Sequence, residues 1–154
     1  TLGTDRLIPI CAPALRQLAL EPVIPTISYP SDAFLGQVFD RSIAPHLPDS
    51  VTTSSRAETA LTLAMLQFAL NEIGIAWLPH SLVTEHLQQG RLISLDDVLP
   101  TQAMDVRMIR LSEGHTERSR AVWHYIIDNL DLSAASKRLP EEPPGLVQAV
   151  ERAK

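Results

Sequence analysis

The sequence predicts an α/β domain, with short apolar strands alternating with helices that cross over a sheet. Three observations carry this reading. The 154 residues are 45% hydrophobic and 20% charged, with a mean hydropathy near zero, the balance of one domain able to bury a core. Aromatic residues make up only 5%, so the core must come from Leu, Ile, Val and Ala, the usual stock of helices packed on a sheet. Finally, apolar runs too short for a helix recur between longer stretches with apolar residues three and four apart.

Leu7 to Ala12 and Val23 to Ser28 are the first two strands, rich in β-branched residues. Pro9 and Pro25 each remove a backbone donor, which places both runs at sheet edges or bulges. Ser31 or Asp32 then caps a helix carrying Phe34, Leu35, Val38, Phe39 and Ser42, which Pro45 and Pro48 stop. Ser50 to Thr53 forms a third strand. Ser55 and Glu58 behind it have the S-x-x-E spacing of a capping box and open a helix that is apolar nearly all round as far as Leu70. Asn71 or Gly74 ends that helix, and Ile75 to Leu78 is a buried strand. Pro79 opens the next helix at a position where its missing amide costs nothing, and Gly90 closes it. Residues 91–100 read as a short strand and a turn, Met104 to Leu111 as a strand, and Thr116 to Leu130 as a helix with Val122, Tyr125 and Ile126 on one seam and Trp123 and Ile127 beside it. Residues 136–145 form a polar, proline-rich linker.

Composition also excludes several classes of function. Thirteen basic residues against 18 acidic ones give a net charge of −5, and the basic residues form no stripe, which disfavours direct nucleic-acid binding. The single cysteine, Cys11, rules out a disulfide scaffold and sits in an apolar strand as a packing residue. No apolar stretch reaches the ~18 residues of a membrane span. His46, His80, His86, His115 and His124 show no metal-ligand spacing, His80 and His86 being six residues apart on one helix. Glycine-rich phosphate loops and nucleophile elbows are absent, so neither an enzyme nor a cofactor is expected. Met65, Met104 and Met108 read as core residues. The first residue is Thr1 rather than Met, and the chain reads as a fragment.

Two strand-to-helix turns offer short polar side chains at a crevice rim: Tyr29, Pro30, Ser31 and Asp32, and then Thr53 and Ser54, with Ser55 engaged in capping. Such turns suit a carboxylate or another small anion, and they also serve as plain caps.

The run ALNEIGIAWLPHSLVTEHLQQGRLISL (Ala69 to Leu95) resembles the effector-binding domain of LysR-type transcriptional regulators. The segments LIPICAP, TISYPSDAFLGQVFDR, SVTTSSRAETAL and MDVRMIRL fall in the order of that domain, and the resemblance covers about Arg6 to Leu130. A GIAWLP strand and a Tyr-to-Gly turn and helix are similar to the hypochlorite-responsive subgroup. Leu35 and Arg56 stand where that subgroup has its oxidant-sensing methionines, and Glu72 where the family has a glycine, a role expected to pass to Asn71. The resemblance implies the distal subdomain of a periplasmic-binding-protein-like clamp (1–103), a strand and helix returning to the proximal subdomain (104–130) and a tail (131–154). It also implies a cytoplasmic homo-oligomer that meets DNA only through an absent N-terminal winged helix-turn-helix and does not meet a membrane. The candidate contacts for a small-molecule effector, an anion or carboxylate, are Tyr29, Pro30, Ser31, Asp32, Thr53, Ser54, Leu78 and Pro79. Val122, Trp123, Tyr125 and Ile126 are the candidate oligomerisation residues. The rival reading is a fragment of a periplasmic solute-binding protein of a transporter.

Overall fold

The computed structural model describes residues 3–109 and 116–129. Six strands form one mixed sheet: β1 (Gly3–Cys11), β2 (Val23–Ser28), β3 (Thr52–Glu58), β4 (Ile75–Pro79), β5 (Ile93–Ser94) and β6 (Gln102–Val106). Their order is β3-β2-β4-β1-β5, with β6 also paired to β1. β2 runs parallel to β3 and β4, while β1 is antiparallel to β4, β5 and β6. The helices are α1 (Phe34–Val38), α2 (Thr62–Leu70), α3 (His80–Gln88) and α4 (Glu117–Asn129). The expected alternation of strands and helices is therefore present.

Strand alternation builds two cores, one on each face of the sheet. Ile8 and Ile10 of β1 and Ala76 and Leu78 of β4 join Ile27, Met65, Leu66 and Val83 under α2 and α3. Leu7 and Cys11 of β1 and Ile75 and Trp77 of β4 face the other way, toward Ile24, Ile43, Leu95 and Leu99. Trp77 donates its indole N–H to the Pro100 carbonyl at 2.9 Å, and its ring meets Phe39 edge-on at 5.0 Å. Burial pushes the Cys11 thiol up to about 11, partly opposed by Arg16, so this cysteine packs as an unreactive apolar group.

Several local expectations fail for tertiary reasons. β1 and β2 lie inside the sheet, not at its edges. On the far side of β1, β6 pairs only as far as Leu7 and β5 begins at Ile10. Pro9 falls in that gap, and its carbonyl accepts the Leu95 amide at 2.9 Å. Pro25 precedes the first β2–β4 pair, Thr26 with Ile75. Neither Ser31 nor Asp32 caps α1, whose N-cap is Ala33 with no side-chain bond. After five residues α1 passes into a π-helical turn (Phe39–Ile43) and a 3₁₀ turn (Ala44–His46). Gly36 is required here, because a Cβ would lie 2.1 Å from the Pro30 carbonyl oxygen.

Ser55 and Glu58 form no capping box either. β3 runs on to Glu58, and α2 starts at Thr62. The Thr59 hydroxyl instead accepts the Leu61 amide at 3.1 Å. Glu72 itself, not Asn71, adopts the left-handed backbone, with φ 61°. Among the described residues the last strand is Gln102–Val106, where Met104 to Leu111 is expected; Leu111 and Leu130, like His115 and the tail, lie outside the described residues.

Candidate functional site

The turn after β2 separates two concavities, and Tyr29 lines both. Its side chain is 9% exposed, and its hydroxyl makes no hydrogen bond of regular geometry. Burial pushes the phenol up to about 12, an effect the Thr62 side chain partly opposes. A buried, unpartnered hydroxyl is costly, and such groups call for a partner.

The first concavity is a cavity of about 220 Å³ between the β2–β3 face of the sheet and the helical segment that includes Phe39 and Asp40. The register pairs Thr26 with Ser55, and after a one-residue bulge at Arg56 it pairs Ser28 with Glu58. Thr26, Ser28, Thr53, Ser55 and Glu58 all line this cavity, with Trp77. The Ser28 and Ser55 hydroxyls are 2.7 Å apart.

The second is an open groove of about 530 Å³ bounded by Asp5 of β1, Met104 to Arg107 at the end of β6, Phe34, Leu35, Thr62 and Pro79. Asp5 is engaged by the Ser81 amide at 3.2 Å and hydroxyl at 2.6 Å. Arg107 pairs with Asp105 at 2.6 Å. The N-terminus of α2 enters this groove through Thr62, and no side chain caps it. Its first-turn amides therefore leave partial positive charge there.

Of the eight candidate effector residues, Tyr29, Ser31 and Thr53 line the cavity, and Tyr29 and Pro79 line the groove. Pro30, Asp32 and Ser54 line neither. Ser54 is excluded by strand alternation, since Thr53 and Ser55 share the opposite face. Leu78 is 0% exposed in the core, so its side chain reaches no ligand. Sequence reasoning missed Thr26, Ser28, Ser55, Asp40 and Glu58. Reading VTTSSRAE as one continuous strand would have supplied two of them, Ser55 and Glu58. On α4, Val122 and Tyr125 are exposed, while Trp123 and Ile126 are half-buried. Among the described residues no cluster of three or more His, Cys, Asp or Glu could hold a metal ion, and no helix is long and apolar enough to cross a membrane.

The family model described as the LysR substrate binding domain matches residues 1–131. The chain belongs to this family. The HTH-type transcriptional regulator YjiE of Escherichia coli K12 is 30% identical over 115 residues, covering 70% of this chain and 37% of that protein. The full-length structure of HypT from Salmonella typhimurium, a hypochlorite-specific LysR-type transcriptional regulator, superposes with a TM-score of 0.63 at 27% identity, covering 87% of this chain and 45% of that one. The bromide-bound regulatory domain of HypT gives 0.65 at 26% identity, covering 87% of this chain and 63% of that one. This LysR chain thus spans less than half the length of the full-length relatives it matches. The likeness extends to the HypT group, and it does not favour the solute-binding reading.

Proposed function

We propose that this chain is the effector-sensing and oligomerisation part of a bacterial LysR-type transcriptional regulator. A small molecule held in an interdomain cleft biases the clamp toward closure and so alters DNA binding by a winged helix-turn-helix outside these residues. On this reading residues 1–103 are the distal subdomain, 104–130 the returning strand and helix, and 131–154 a tail. The whole is cytoplasmic, non-enzymatic and free of cofactor.

The observation that carries the reading is the Tyr29 hydroxyl, buried beside a groove bounded by β1 and β6 with only the Thr62 side chain to engage it and no hydrogen bond of regular geometry. These antiparallel strands would be the two chain crossings of the clamp, so the groove would be the distal half of its cleft. The uncapped start of α2 supports an anionic or carboxylate effector, and the bromide ion bound to the HypT regulatory domain supports the same class.

A thermal-shift screen of carboxylates on the full-length regulator tests this. A ligand at 100 times its Kd adds about 2.7 kcal/mol of stability. Tyr29→Phe should abolish that shift and leave basal DNA affinity unchanged, and an undiminished shift in Tyr29→Phe would remove Tyr29 from the site. Oligomerisation is proposed through Val122, Trp123, Tyr125 and Ile126, since Val122 is 53% and Tyr125 44% exposed and a second copy would cover them. Sedimentation across a concentration series decides this: a 17.0 kDa species persisting at high micromolar concentration argues against it, and Trp123→Glu should dissociate a genuine dimer.

A further inference from the structure

The cavity between β2, β3 and the Phe39–Asp40 segment is lined mainly by hydroxyls, carboxylates and aromatic rings. Thr26 is only 5% exposed, it lines the cavity, and its hydroxyl has no hydrogen-bond partner among the described residues. Ser28 and Ser55 are already committed. If Ser28 donates to Ser55 Oγ, then Ser55 donates to the Ala57 carbonyl at 3.2 Å. If Ser55 donates to Ser28 Oγ, then Ser28 donates to the same carbonyl at 3.4 Å. Either way both protons are used within the protein, and only oxygen lone pairs remain for a guest.

The rest of the lining adds the hydroxyls of Tyr29, Ser31 and Thr53, which can donate or accept, and a negative charge. Asp40 and Glu58 bring two carboxylates, neither of them in an ion pair among the described residues. Among the described residues no Lys, Arg or His lines the cavity. The aromatic wall adds no donor from Trp77, whose indole N–H is turned to the Pro100 carbonyl. Aromatic faces beside carboxylates favour a cation.

We infer that this cavity is a second ligand site, adjoining the groove across Tyr29, which takes a small primary ammonium and best a short diamine. The ammonium N–H groups donate to the Ser28–Ser55 pair, to Thr26 and to the carboxylates, while Phe39 and Trp77 flank the alkyl part.

The test is calorimetric titration of the 154-residue chain with 1,4-diaminobutane, with neutral 1,4-butanediol and anionic succinate in parallel. Saturable binding of the diamine alone is expected, weakening as salt rises. In ¹H–¹⁵N spectra the perturbed signals should be the amides of Thr26, Ser28 and Ser55 and the Trp77 indole. Exchanging the two exposed carboxylates (Asp40→Asn with Glu58→Gln) cannot disturb the core and should weaken binding about tenfold. Thr26→Val, close in shape, should weaken it about fivefold. Equal binding of the diol, no saturable diamine signal up to about 10 mM, or an affinity indifferent to the carboxylate exchange would each overturn the assignment. The groove is read out by carboxylate binding instead, and the carboxylate exchange at Asp40 and Glu58, which do not line the groove, should leave that binding unchanged.

Discussion

β4 and β3 belong to one sheet yet answer to different pressures. β4 lies between β2 and β1, and Ile75, Ala76, Trp77 and Leu78 are buried on alternate faces. Each residue there is fixed by the neighbours it packs against. β3 is an edge strand of hydroxyls and charges, exposed along almost its whole length, and it carries a bulge. Its side chains hold little of the fold and are free to address a ligand. The central strand therefore stores stability, and the edge strand stores chemistry.

The sharpest way to break this contrast is Trp77→Ala. It removes the largest fully buried side chain together with the bond to Pro100, and should cost about 4 kcal/mol in urea denaturation. A loss below about 1 kcal/mol would mean that β4 does not anchor the sheet. Gly36→Ala comes next, at about 3 kcal/mol, because the new methyl meets the rigid Pro30 carbonyl. Gly90→Ala is its control: nothing lies within 4 Å of the added Cβ and only the positive φ of 68° is strained, so about 1 kcal/mol is expected. Glu72→Gly should go the other way and raise stability by about 1 kcal/mol, since φ is 61° there. On the edge strand, Ser55→Ala should cost only about 0.5 kcal/mol, from the hydroxyl pair with Ser28. Amide exchange in the first turn of α2 should be unchanged by it, and selective loss of protection there would restore Ser55 as a helix cap.

The strands with local hydrophobic signatures were legible in the chain. Val23–Ser28 and Ile75–Pro79 appear almost where β-branched and apolar runs place them, and α3 begins directly after Pro79 and ends before Gly90. Half of the eight candidate contacts do line a concavity, namely Tyr29, Ser31, Thr53 and Pro79. Thr26 and Ser28 escaped notice because a hydroxyl inside an apolar strand gains meaning only when a neighbouring strand sets another hydroxyl beside it.

The sequence alone determined the element types, the apolar stock of both cores and the family, because hydrophobic periodicity, turn residues and the ordered blocks act over short stretches of chain. Only the tertiary structure decided that Pro9 sits inside the sheet, that Ser55 joins Ser28 instead of capping a helix, and that Glu72 takes the strained turn. Each of these depends on which strand lies alongside and in what register. That choice is settled by the burial of both faces of the sheet at once, an energy spread over residues far apart in the chain.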